Sequence, residues 1–213
     1  MLTAKNITFK YLYSEVLTDI NATFESGNMY AIIGKSGSGK TTLLSLLSGL
    51  SSLQDGDILF EGQSLKNMNL RQYRKKCGIV FQSFNLINYL TPIQNIVLAL
   101  DIQGYRGNKK RKAKEMLEKV DITHEQMTRK CAELSGGQQQ RIAIARAIAS
   151  DDKIIFADEP TGSLDTETSQ LIIDLLKDLA HQEQKCVICV THDLELEKIA
   201  DVTYRISNGK LYE

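Results

Sequence analysis

The chain has 213 residues, with 26 Lys and Arg balanced by 26 Asp and Glu for a formal net charge of zero. That length suits one large domain, or a core with an inserted subdomain, and 42% hydrophobic with 24% charged residues excludes a disordered or fibrous chain. Balanced charge argues against a nucleic-acid binder held by an overall basic field, and no apolar run approaches the roughly 20 residues needed to cross a bilayer.

The first residues, Met1 to Thr8, lack the charged-then-apolar layout of a secretory signal. Any work at a membrane is therefore expected to rely on another chain for the spanning part. Short apolar or alternating runs predict strands at Ile7–Phe9, Val16–Phe24, Met29–Ile33, Asp57–Glu61, Cys77–Phe81, Lys153–Ala157, Lys185–Thr191 and Val202–Ile206. Helical spacing recurs at Leu43, Leu46, Leu47 and Leu50, again at Ala113, Met116, Leu117 and Val120, and again at Ile172, Leu175, Leu176 and Leu179. Strands dominate the first third, and helices alternate with buried strands later. The expected fold is α/β, with a parallel central sheet and an antiparallel β layer on one side.

From about Ser83 to Lys130 the alternation stops: two helical patterns and a basic run, Lys109–Lys112, stand without a convincing strand. This predicts an inserted helical subdomain, placed at residues 83–135 within a single domain of residues 1–213. The basic run reads first as a solvated helix face, with contact to a membrane surface or partner as the weaker reading. Pro92 falls at a helix start and Pro160 just after a strand. Cys186 and Cys189 form C-x-x-C inside a strand, where positions three apart face opposite ways. With no second pair to complete a metal site, the four cysteines are expected to be core thiols.

The chemistry concentrates in a few strings. Met29–Ile33 runs directly into Gly34-Lys35-Ser36-Gly37-Ser38-Gly39-Lys40-Thr41-Thr42, followed by the leucine-spaced helix. This is a phosphate-binding loop in its strand–loop–helix setting. Backbone N–H groups and the helix N-terminus would face phosphate oxygens. Lys40 would meet the β- and γ-phosphates, and the Thr41 hydroxyl would ligate Mg²⁺. Asp158 and Glu159 end an apolar strand, where two carboxylates are costly unless used. Asp158 suits the Mg²⁺ sphere, and Glu159 suits orientation of an attacking water. Ser135-Gly136-Gly137-Gln138 opens a helical stretch at Gln139–Ala149 with a good N-cap, a second anion site. One nucleotide seldom needs both from one molecule, so each is expected to act in trans on a nucleotide held by another copy. His192 follows a core strand and reaches the crevice at the strand ends. Gln82 stands where the core hands over to the helical insert. His124 and His181 receive no role.

Together these strings resemble the ATP-binding cassette (ABC) ATPase family over essentially the whole chain. Gly34–Thr42 is similar to its phosphate loop, Gln82 to the Q-loop, Leu134–Gln138 to the signature, and Phe156–Pro160 to the Walker B end. Ser163–Asp165 is similar to the D-loop and His192 to the switch histidine. The resemblance implies ATP and Mg²⁺ as ligands, with Glu159, His192, Lys40 and Gln82 catalytic, and Gln82 beside Thr41 and Asp158 at the metal. It implies Tyr11 stacked on adenine, with Tyr13 as rival. It also implies a head-to-tail homodimer in which Ser135, Gly137 and Gln138 touch the other copy's ATP. A separate membrane permease would hold the chain at the inner face of the membrane, with no nucleic acid involved. Phe81–Ile87 and Ala157–Asp165 resemble the branch of lipoprotein-release and macrolide or antimicrobial-peptide efflux systems, which implies export or extraction. A soluble ABC protein of translation or DNA repair is the alternative, weakened by the absence of a second cassette or long coiled coil. A GTPase would be expected to show N-K-x-D, and Asn108–Arg111 does not supply it.

Overall fold

The structure is a computed structural model and describes residues 1–12, 14–150 and 152–213. Tyr13, the rival for the adenine, lies outside the described residues. Two sheets organise the chain. A six-stranded sheet has the order β10-β9-β3-β8-β7-β6. Its strands are β3 (Met29–Gly34), β6 (Cys77–Val80), β7 (Ile154–Asp158), β8 (Cys186–Thr191), β9 (Val202–Ser207) and β10 (Lys210–Tyr212). Pairings from β9 through β3, β8 and β7 to β6 are parallel, and β10 closes one edge antiparallel. The second sheet, β2-β1-β4-β5, is antiparallel and uses β1 (Leu2–Tyr11), β2 (Ser14–Phe24), β4 (Asp55–Phe60) and β5 (Gln63–Ser64). This is the α/β architecture with a β layer expected above.

Strands buried on both faces explain the unbroken apolar runs Ile154–Ala157 and Cys186–Val190. Alternate residues feed two cores. Tyr30, Ile32, Ile154, Phe156, Cys186 and Ile188 meet Leu43, Leu46 and Leu47 of α1 (Lys40–Leu47) and the antiparallel sheet. Ala31, Ile33, Ile155, Ala157, Val187 and Cys189 meet helices on the opposite face. These are α3 (Pro92–Gln103), α4 (Lys109–Lys119), α5 (Gly136–Ile148) and α6 (Thr166–His181), while α2 (Leu70–Arg74) and α7 (Leu194–Ile199) are short. Cys186 and Cys189 thus sit in different cores, both free, and burial pushes each thiol up to about 12. A fully buried Leu or Ile contributes about 1.5–3 kcal/mol, so these two layers supply most of the stabilisation.

Between residues 83 and 135 the described residues hold α3, α4 and single 3₁₀ turns, with no strand. Pro92 is the first residue of α3, behind a Thr91–Gln94 capping box. Ala113, Met116 and Leu117 turn one face of α4 inward. Three local differences from the sequence reading have physical causes. Helix α1 stops at Leu47 because Gly49 adopts φ 68°, which leaves Leu50 outside it and 42% exposed. Helix α5 starts at Gly136, ahead of the expected Gln139, because Ser135 and Gln138 form a reciprocal capping box. Strands β5 and β10 are only two and three residues long, too short for a period to register. Helix α5 lies flat against β6 at Gly78, where a Cβ would stand 2.3 Å from the Ala147 carbonyl oxygen.

Candidate nucleotide site

The strand ends converge on one cleft of about 680 Å³, lined by Tyr11, Val16, Gly34–Gly37, Gly39–Thr42, Gln82, Asp158, Glu159 and His192. The parallel order explains this gathering. Strand β3 delivers the glycine loop, β7 delivers Asp158 and Glu159, β8 delivers His192, and β6 leads into Gln82. Cleft and loop therefore lie at the carboxyl ends of neighbouring strands, where open α/β sheets bind ligands. Gly39 caps α1 with φ 102°, which only glycine adopts without strain, and a Cβ there would fall 2.8 Å from Leu17 Cδ2. The N-terminus of α1 points its free N–H groups along that loop, an arrangement suited to phosphate.

Lys40 is 9% exposed, and its ammonium donates to the Gly34 and Lys35 carbonyls at 2.8 and 3.2 Å. A cation folded onto its own loop is positioned to exchange carbonyls for phosphoryl oxygens. The buried hydroxyl oxygen of Ser38 has no hydrogen-bond partner among the described residues, and Ser38 lines the neighbouring cleft instead. Asp158 is 6% exposed, and its Oδ1 likewise has no hydrogen-bond partner among the described residues. Burial pushes the Asp158 carboxyl above its ordinary range, and Glu159 adds to this, while a Thr41 hydrogen bond and Lys40 oppose it. A desolvated carboxylate with an unpartnered oxygen beside a threonine hydroxyl fits Mg²⁺, which takes one or two protein ligands plus substrate phosphates. No cluster of three or more His, Cys, Asp or Glu able to hold a metal occurs among the described residues.

Glu159 has φ 50°, a left-handed backbone that turns its carboxylate back toward β8. Its Oε2 lies 2.9 Å from His192 Nδ1 and accepts from the Thr191 hydroxyl at 3.4 Å. Thr191 Oγ1 in turn accepts from the Asp193 amide at 2.9 Å, and Asp193 accepts from the Thr161 hydroxyl at 2.8 Å. Thr161, Thr191 and Asp193 join the site without belonging to any of its sequence strings. Their only signal was the N-cap placement of Asp193, which caps α7. Tyr11 stands at the cleft mouth, 54% exposed, with its ring edge-on to Phe9 at 4.9 Å. Asp165 caps α6 by accepting from the Thr168 amide. His181 bonds Asp201, which accepts from the Met29 amide, a structural tie.

Ser135, Gly137 and Gln138 do not line this cleft. Ser135 accepts from the Gln138 amide, and the Gln138 side chain accepts from the Ser135 amide at 2.9 Å. No side chain stands within 4 Å of a Cβ placed on Gly136. Of the helix N-termini at Lys40 and Gly136, the one at Lys40 opens on the carboxylate cleft. No helix among the described residues is long and apolar enough to cross a membrane.

Comparison with known proteins agrees with this geometry. The pattern of the ABC transporter family matches residues 17–162. The chain is 45% identical to an uncharacterized ABC transporter ATP-binding protein, YclH of Bacillus subtilis, over 94% of this chain and 90% of that protein. It is 38% identical to the methionine import ATP-binding protein MetN of Clostridium acetobutylicum over 93% of this chain, spanning 63% of MetN. Among solved structures it is similar to MJ0796, an ABC transporter cassette, with TM-score 0.93 and 34% identity, covering 100% of this chain and 97% of that one. That cassette has been described as a dimer and in a post-hydrolysis state with ADP and Pi. This chain belongs to the ABC transporter family as one of its ATP-binding cassettes, an ATPase that uses ATP and Mg²⁺.

Proposed function

We propose that the chain is the ATP-hydrolysing subunit of a membrane transporter, closing as a homodimer around two ATP molecules and driving a separate permease. The carrying observation is the separation just described: the phosphate loop faces Asp158, Glu159 and His192, while the Ser135 helix N-terminus opens elsewhere. Two copies head to tail would bring one chain's Ser135, Gly137 and Gln138 over the other's phosphate loop. The dimeric form of the similar cassette supports this reading.

In this reading Tyr11 stacks on the adenine, and Gly34–Thr42 wraps the phosphates with backbone N–H groups. Lys40 leaves the Gly34 and Lys35 carbonyls for the β- and γ-phosphates. Thr41, Asp158 and Gln82 would hold Mg²⁺, which when bound would neutralise charge developing on the phosphoryl oxygens. Glu159 orients the attacking water and takes its proton, and His192 steadies Glu159 and meets the γ-phosphate. Loss of that phosphate removes the contact shared by two chains and opens the dimer, a shift set by differential affinity for the closed state. Residues 83–135, as a helical subdomain, carry the motion to the permease, which holds the chain at the inner face of the membrane.

The direction read from Phe81–Ile87 and Ala157–Asp165 is export or extraction of a peptide, antimicrobial or lipoprotein. Import is the second reading, supported by the likeness to proteins named for methionine import. Isolating the native complex from membranes and identifying the permease tests both. A permease whose reconstituted vesicles accumulate substrate in the import direction refutes the export reading, and recovery on ribosomes or DNA refutes both.

A further inference from the structure

Helix α5 begins at the Ser135 cap, yet two of its later side chains hold loops of this chain's own cleft. Gln140 is 1% exposed, and its amide donates to the Pro160 carbonyl at 3.0 Å. Pro160 directly follows Glu159, whose left-handed backbone needs support from its surroundings. Six residues further along, Arg146 donates to the Phe84 carbonyl at 2.9 Å and also to the Asn85 carbonyl. Phe84 and Asn85 follow Gln82 and hold φ 54° and 51°, a second stretch that must be held in place. The helix itself has little freedom: at Gly78 its backbone rests on β6, the strand that leads to Gln82.

We propose that α5 is a strut in which Gln140 and Arg146 are positioning residues for Glu159 and Gln82. The helix that offers Ser135 to a neighbouring copy's nucleotide thereby sets the hydrolytic geometry of its own cleft. From Ser135 to Arg146 the rod spans about 16 Å at 1.5 Å per residue, and neither positioning residue lines the cleft. The inference rests on the composite dimer proposed above.

Gln140→Met keeps the length and bulk of the side chain and removes its donor. Misplacement of a water-orienting group near 1 Å costs up to about 10²-fold. Turnover is expected to fall at least about tenfold while ATP affinity stays within about twofold. A residue that only stabilised the fold would lower the melting temperature and leave dimer lifetime alone. Here the ATP-bound dimer is expected to persist on size exclusion with Glu159 intact, as is also expected of Glu159→Gln. Arg146→Met is expected to behave likewise, and Arg146→Lys, which reaches one carbonyl of the two, to fall between it and the unaltered chain. Should Gln140→Met fail to fold, the two Arg146 variants carry the test. Folded Gln140→Met and Arg146→Met proteins with ordinary turnover and dimer lifetime, beside a Glu159→Gln protein that dimerises, overturn the strut alone. A Glu159→Gln protein that stays monomeric with ATP overturns the composite dimer, and the strut falls with it.

Discussion

Replacing Glu159 by Gln removes one negative charge and keeps the shape of the side chain. The 2.9 Å contact with His192 loses its ionic part but keeps an acceptor in the amide oxygen, and although Glu159 is only 14% exposed, His192 is 75% exposed, so the loss is about 0–1 kcal/mol. The φ of 50° is unchanged, so the strain near 1 kcal/mol is common to both proteins. Folding stability is therefore expected to move by less than about 1 kcal/mol. The chemical effect is much larger. A positioned base contributes about 10²–10⁴-fold, or roughly 3–5 kcal/mol of barrier, and a neutral amide cannot take the water's proton. Phosphate release at saturating ATP and Mg²⁺ should drop at least about 10²-fold, with binding of a fluorescent ATP analogue within about twofold of the unaltered protein. A variant that turns over within about threefold of the original would remove Glu159 from the mechanism.

Other perturbations separate fold from chemistry. Lys40→Ala should abolish ATP-dependent thermal stabilisation, because among the described residues no other cation meets the loop carbonyls as Lys40 does; a retained ATP-induced shift refutes it. Asp158→Asn should raise the melting temperature without nucleotide by about 2–4 °C per kcal/mol of relieved desolvation, and cancel the Mg²⁺-dependent part of ATP stabilisation. The sign follows from linkage: a carboxyl raised by burial costs stability when charged, so the gap between Asn and Asp closes as pH falls from its raised value toward 3.8. A gap that widens on acidification contradicts this. Gly78→Ala should destabilise by about 1–3 kcal/mol, read by chemical denaturation, because the added Cβ meets the Ala147 carbonyl and Ile155. Burial raises Cys77, Cys186 and Cys189 to about 12 and Cys131 to about 11, so thiol reagents at pH 8 should label the protein only after unfolding.

What the sequence revealed was chiefly local. The phosphate loop needs glycines, a lysine and a hydroxyl at fixed short spacing, and Gly34–Thr42 displays all of them in one string. The strand at Cys186–Thr191 was legible because burial on both faces leaves an unbroken apolar run. Ser135 is legible as an N-cap from its own string, and α5 begins at Gly136, ahead of the expected stretch at Gln139, because the Ser135–Gln138 box overrides the low propensity of two glycines. The left-handed Glu159 had no signal, since any residue type held by its surroundings can adopt that backbone. Gln140 to Pro160 and Arg146 to Phe84 join positions 20 and 62 residues apart, and such ties depend on how helices pack rather than on spacing.

The central claim concerns the γ-phosphate, which is held to touch two chains at once. An ATP analogue with a photoreactive group on the γ-phosphate can be bound to Glu159→Gln chains mixed with isotopically heavy Lys40→Ala chains, which cannot hold it themselves. After irradiation, the account expects label on the heavy peptide that contains Ser135, Gly137 and Gln138. Label confined to the light chain, in a mixture that turns over once Glu159 is restored, would contradict it.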